Sequence, residues 1–274
     1  MSTLPPQTYI LGTHDDEIER LGFQHRVWRP KVLECWQRSG ITTGSRVIDI
    51  GAGPGFATLD LAELVGETGK VLALERSEKF VAYGSGQCSL RGFSQVEYRQ
   101  TDLMLDPIHE QNVDATWCRW VAAFVSSPEK LVSKISGALK PGGVAIFHEY
   151  IDYRTYRVAP RKLGIEEFVS KVMKNWRASG GEPEIALELP HLLHKAGFKI
   201  RQTTPIVFVA SPGTMIWQWP ASFIKTHLEH LLQNKQADEE WVDKVRQELE
   251  EAESDPSSLF ITPTVLEIVA ERLA

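Results

Sequence analysis

The most constraining feature of the sequence is an abrupt change of pattern near residue 50. Val47-Ile48-Asp49-Ile50 is a short, largely β-branched run. It passes directly into Gly51-Ala52-Gly53-Pro54-Gly55, and residues 56–65 (FATLDLAELV) then show helical periodicity. A strand joined to a helix by a turn of three glycines lets a ligand approach the backbone closely, with amide N–H groups and the helix start facing it. A second apolar run, Val71-Leu72-Ala73-Leu74, ends in Glu75, 20 residues beyond Gly55. An acid there can accept hydrogen bonds from both hydroxyls of a ribose. A nucleoside-containing cofactor is therefore expected.

The strand–helix alternation continues. Helices are predicted over roughly 78–90 and from Pro128 to Leu139, and strands over 95–100, Val113–Cys118 and Val144–Phe147. Strand and helix alternating at this spacing imply right-handed crossovers and a parallel sheet covered on both faces. Upstream, residues 14–38 read as a helix capped by Thr13, with a kink or break expected at Pro30. After Tyr150 the rhythm breaks. Helices are expected over 162–177 and Leu189–Ala196, extended segments over 198–203 and 206–210, and a charged helical stretch over 215–253. Residues 257–262 read as a strand, and 263–272 as a terminal helix or a continuation. The resulting organisation is an N-terminal helical segment (1–40) closing the cofactor pocket, an α/β core (41–211 and 256–274) and a helical cap insertion (212–255), with a smaller insertion around 155–182.

The choice of cofactor follows from the turn. The dinucleotide fingerprint is GxGxxG, but the sixth position from Gly51 is Phe56. Asp49, just before the turn, would repel a pyrophosphate and could hold an ammonium group. Both features favour a zwitterionic, cationic cofactor over a dinucleotide.

VIDIGAGPG at 47–55, Glu75 after VLAL, Thr101-Asp102-Leu103 and LKPGG at 139–143 occur in the order seen in one family. On these motifs the chain resembles the class I S-adenosylmethionine-dependent methyltransferases, over about residues 40–150 and more loosely near 198–203 and 258–262. The resemblance implies a Rossmann-like, doubly wound, mostly parallel seven-stranded sheet and S-adenosyl-L-methionine as cofactor. Gly51, Ala52, Gly53 and Gly55 then form the turn under the cofactor. Asp49 serves its amino group, Glu75 the ribose, Arg76 the adenine edge, and Asp102 and Leu103 the adenine. Arg119 and Trp120 flank the methionine moiety, and Tyr9 and Gln24 close the pocket. Asp102 is also a common turn residue, and Arg119 also reads as a salt-bridge partner. Pro54 removes one amide donor from the turn.

The implied activity is transfer of a methyl group to an O, N or C nucleophile of a small organic acceptor. The alternatives are an NAD-dependent oxidoreductase and a non-catalytic binding protein with the same fold. A base is needed only if the acceptor must lose a proton. His148, at the end of the fifth strand, is the leading candidate, with Glu149 and Tyr150 as fallbacks. Trp217 and Trp219 either line an acceptor pocket or anchor the cap.

Charge and composition narrow the setting. Thirty Lys and Arg against 36 Asp and Glu argue against wrapping nucleic acid. Three cysteines without a CxxC pair fit a reducing, cytoplasmic compartment. Neither a signal peptide nor a membrane-spanning stretch is evident, so no membrane partner is expected. His191-x-x-His194 and His227-x-x-His230 lack a third ligand in sequence, and no metal site is expected. A homodimer is compatible with this reading.

Overall fold

The computed structural model describes residues 15–274, with side chains from Glu17 onward. Helix α1 (Asp15–Arg38) is followed by β1 (Arg46–Ile50), α2 (Phe56–Val65), β2 (Lys70–Glu75), α3 (Glu78–Leu90), β3 (Val96–Gln100), β4 (Val113–Arg119), α4 (Pro128–Ala138) and β5 (Leu139–Asp152). Next come β6 (Arg157–Ala159), α5 (Leu163–Ala178), α6 (Leu189–Lys195), β7 (Phe198–Ile206) and β8 (Val209–Ala210). The last elements are α7 (Met215–Gln233), α8 (Glu239–Ser254), β9 (Leu259–Ile261) and β10 (Thr264–Arg272).

These elements form two compact units. The larger comprises Trp28–Tyr153, Gly180–Val207 and Pro263–Ala274. Its seven-stranded sheet has the order β3-β2-β1-β4-β5-β10-β7. β10 runs antiparallel to both neighbours, and the pairs from β3 through β5 are parallel. From β1 the chain winds outward to β2 and β3, then crosses back to β4 and β5. The strand order therefore reverses between β1 and β4, and ligands in open α/β sheets bind beyond the carboxyl ends of strands at such a point. β1 and β2 are buried from their second residue through Ile50 and Leu74, as strands covered on both faces must be. β7 lies at a sheet edge, where Pro205 removes no ladder bond that a second neighbour needs.

The smaller unit contains the described residues up to Val27 together with Arg154–Ser179 and Phe208–Thr262. It holds α5, α7, α8 and a three-stranded sheet of order β6-β9-β8. α8 buries Val242, Val245, Leu249 and Ala252, one stripe at helical spacing, and leaves most of its acids in water. The cap expected at 212–255 falls within this unit, which extends to three separate stretches of the chain.

Three expectations are corrected. α1 is one unbroken helix with Pro30 inside it. The missing hydrogen bond costs about 3 kcal/mol. Burial of Trp28, Val32, Cys35 and Trp36, all at 0% exposure, stabilises by more. Of the two readings of 263–272, the terminal helix gives way: residues 264–272 form a strand. Its six positions from Val265 to Ala270 are all buried, which is the signature of a strand enclosed on both sides. Residues 259–261 belong to the small sheet and not to the return of the main one, Pro263 separating β9 from β10.

One packing detail fixes the neighbourhood of the glycine turn. Asp49, Ala73 and Tyr98 lie in one register row across β1, β2 and β3. The Tyr98 ring occupies space that two glycines leave open. A Cβ on Gly55 would lie 1.8 Å from the phenol oxygen, and one on Gly84 2.3 Å from it. Gly86, on the same helix, faces open space. Gly→Ala inside a helix ordinarily stabilises by about 0.5–1 kcal/mol. G86A is expected to follow that rule, whereas G84A reverses sign and costs roughly 1–3 kcal/mol through overpacking. Urea unfolding of the two variants checks the contrast.

Candidate functional site

The turn after β1 depends on left-handed backbone at Gly51, Gly53 and Gly55, with φ of 65°, 56° and 93°. Each glycine has a second, different reason. A Cβ on Gly51 would lie 2.4 Å from Val121, in the loop after β4. Gly55 makes room for Tyr98. A Cβ on Gly53 would meet nothing within 4 Å, so the space over the turn is open there.

Three amides of the turn are committed internally. Ala52 N–H donates to the Leu74 carbonyl (3.0 Å) and Gly55 N–H to the Ala52 carbonyl (3.1 Å). Gly53 N–H donates to Oε2 of Glu75 (2.9 Å), and Pro54 has no N–H. This stretch differs from the expectation that its amides face a ligand. A pyrophosphate needs such amides, so their internal use argues against a dinucleotide.

Glu75 is the clamp at the end of β2. One carboxylate oxygen holds Gly53, and the other accepts from Ser77 N–H (2.8 Å), the N-cap of α3. Burial pushes its carboxyl up, against the N–H groups of Ser77, Gly53 and Arg76 that favour the charge. Each carboxylate oxygen has a second lone pair, so the group can still accept two hydroxyls. Arg76 is exposed, and its carbonyl accepts from Gln100 Nε2.

Asp49 is 2% exposed. Its Oδ2 accepts from Thr58 Oγ1 at 2.7 Å, and Thr58 Oγ1 lies 3.3 Å from the Tyr98 hydroxyl. Burial pushes the Asp49 carboxyl up to about 6, against the Thr58 hydrogen bond and the charge of Arg119. In turn, burial pulls the Arg119 guanidinium down to about 10, with Asp49 opposing. That guanidinium lies over the Trp117 and Trp120 rings, 5.8 and 5.1 Å from their centroids. Trp120 adopts a left-handed φ of 53° and stacks on Tyr150 at 5.6 Å.

Of the three candidate bases, two are corrected by their placement. His148 has 0% exposure, and its Nε2 is bonded to Glu267 Oε2 at 3.1 Å. Glu267 also receives Arg38 at 2.9 Å and a hydrogen bond involving Cys35. Burial alone would raise the Glu267 carboxyl, yet these three partners hold it at about 2. Burial lowers the His148 imidazole, against Glu267. His148 is therefore part of a closed network between α1, β5 and β10, edge-on to Trp117 and Trp28, and cannot meet an acceptor. The grouping of Cys35, His148 and Glu267 escaped the sequence reading because the segment of β10 was left open between helix and strand, and its register against β5 is what brings Glu267 opposite His148. Glu149, also at 0% exposure, takes the N–H groups of Val121 (2.7 Å) and Ala122 (2.8 Å) on Oε1. It shapes the loop that lies against Gly51. Tyr150 alone remains beside Trp120 and Arg119.

Asp102 Oδ1 caps its own turn, accepting from Met104 N–H (2.8 Å) and Leu105 N–H (3.3 Å). Lys134 and Lys130 on α4 pin this loop by donating to the carbonyls of Leu103, Asp106 and Met104. Neither lysine was foreseen. Gln24 belongs to the smaller unit, where its carbonyl accepts from Arg20 and Trp219. Tyr9 and Thr13 lie outside the described residues. The larger unit thus brings together Asp49, the Gly51–Gly55 turn, Glu75, Arg119, Trp120 and Tyr150.

Comparison with known proteins agrees with this geometry. A family model described as a methyltransferase domain matches residues 48–147. The ubiquinone/menaquinone biosynthesis C-methyltransferase UbiE of Teredinibacter turnerae is 28% identical over 127 residues, which cover 46% of this chain and 50% of that protein. The chain thus matches about half the length of that curated relative. Among solved structures, a putative methyltransferase from Bacillus halodurans superposes with a TM-score of 0.60 at 18% identity, over 89% of this chain and 99% of that one. The [4+2]-cyclase SpnF gives 0.58 at 18% identity, over 89% and 80%. At such identities these structures speak to the fold.

Glu149 carries a pH signature. Burial pushes its carboxyl from the usual 4.5 to about 8, against the N–H groups of Val121 and Ala122. A raised carboxyl contributes stability that is complete below about 4.5 and is lost as pH rises through about 8. E149Q keeps an oxygen acceptor for both amides and cannot ionise. The stability of the native protein relative to E149Q is expected to fall between pH 5 and pH 9, as measured by urea titration across that range.

Proposed function

We propose that this chain is a class I S-adenosylmethionine-dependent methyltransferase that moves the sulfonium methyl of S-adenosylmethionine to a small organic acceptor. The observation that carries this reading is the Glu75 carboxylate bonded to Gly53 N–H beneath open space. A turn whose Ala52, Gly53 and Gly55 amides are used internally, flanked by two acids, suits a cationic, ribose-bearing cofactor better than an anionic one.

Glu75 would hold the ribose hydroxyls and Asp49 the amino group. Gly53 presents a backbone without a side chain to the cofactor, and the pinned loop at Asp102–Leu103 borders the adenine. When bound, the cofactor would supply an already activated methyl group. The protein's work is then to orient the partners and exclude water. Arg119, stacked between Trp117 and Trp120, offers a fixed positive edge to a carboxylate. Tyr150, stacked on Trp120, is the remaining candidate to hydrogen-bond the acceptor. The name of the UbiE relative supports carbon as the acceptor atom. Among the described residues no helix is long and apolar enough to cross a membrane.

Calorimetry tests the proposal directly. S-adenosylmethionine and S-adenosylhomocysteine are both expected to bind, and NAD is not. E75Q, which loses the charge at the ribose position, is expected to weaken both by roughly 10–100-fold, the worth of hydrogen bonds to a charged group. Failure of both ligands to bind the native protein would overturn the reading, and tight binding of NAD would replace it with an oxidoreductase.

A further inference from the structure

Asp49 has a support that the cofactor reading does not require. The Tyr98 hydroxyl lies 3.3 Å from Thr58 Oγ1, which donates its only proton to Asp49 Oδ2 at 2.7 Å. With that proton spent, Thr58 can only accept, so Tyr98 is the donor. Both hydrogen bonds therefore point towards the carboxylate. The chain joins two strands and a helix: Asp49 on β1, Tyr98 on β3 in the same register row, and Thr58 on α2. Ala73, between the two strands, has 0% exposure and only a methyl group, which leaves the row open for the phenol. Gly55 and Gly84 have no room for a Cβ because the ring fills it. Thr58 itself is completely buried.

We propose that Thr58 and Tyr98 are positioning residues for the cofactor's amino group, a two-step donor chain that fixes Asp49 Oδ2 and leaves Oδ1 to receive the ammonium. This rests on the methyltransferase reading and adds to it the device that keeps a buried acid ionised. The groups that act on Asp49 are Thr58 from α2, Glu75 from β2, Tyr98 from β3, and Cys118 and Arg119 from β4. Arg119 and Thr58 favour its charge, whereas burial and Glu75 oppose it. The third glycine of the turn then serves the acid through Tyr98.

The test is the affinity for S-adenosylmethionine, measured by calorimetry from pH 5 to pH 8.5. In the native protein binding is expected to weaken as pH falls through about 6, where Asp49 takes up a proton, and D49N is expected to lose that dependence. T58V removes the donor at nearly constant volume. It is expected to weaken binding about 10-fold near neutral pH and to move the midpoint to higher pH. T58S restores the hydroxyl and is expected to restore both. Y98F keeps the ring in its space and gives a smaller change of the same sign. T58V or Y98F with native affinity and native midpoint would overturn the proposal, as would a T58S that fails to recover them. If the native protein itself binds no S-adenosylmethionine, the methyltransferase reading falls and takes this proposal with it.

Discussion

A single carboxylate at the end of β2 sets the geometry at the centre of the larger unit. Glu75 holds Gly53 with one oxygen and the first turn of α3 with the other. The bend after β1 and the start of α3 are therefore tied to a common charge. The bend is left-handed at all three glycines, and Val121 and Tyr98 press on the first and the third. With its own amides used internally, the turn is a shaped surface more than an anion receptor. This is the difference between a fold that cradles phosphates and one that receives a sugar and a cation, and it rests on backbone hydrogen bonds that no motif records.

Around that centre, buried charge is handled in two ways. At Glu267, three partners gather on one acid and keep it ionised far below the usual range. At Glu149, backbone amides satisfy one oxygen, no cation offsets the charge, and burial wins. The two acids are both at the floor of exposure and lie on neighbouring strands, so burial alone does not decide their protonation. What separates them is their partners: the side chains of His148, Cys35 and Arg38 on Glu267, and backbone N–H groups alone on Glu149.

The alternation of β1, α2, β2 and α3 was legible because each element carries a single period and ends on a glycine or an acid. β10 was not. Its run VLEIVAER satisfies either period, and a glutamate in its middle reads as a helix face until Arg38 and His148 are found around it. His148 was visible as a polar residue at a strand end, but not the direction it faces, which depends on β10. Pro30 misled in the opposite sense: a strong local signal was outweighed by four buried side chains on either side of it in α1. Thr58 sat in plain view within an apolar helix. Its purpose appears only when Tyr98, forty positions on in sequence, arrives from β3.

The antiparallel strand wedged between β5 and β7 also bears on how the molecule is made. β5, an interior strand with the apolar run Val144–Phe147, has no partner on one side until Thr264–Arg272 leaves the ribosome. While α5 to α8 are synthesised, that bare edge stands ready to pair with any extended segment, from this chain or another. Completion of the sheet is thus a late event in biogenesis, and a nascent chain stalled before Thr264 exposes a template for aggregation.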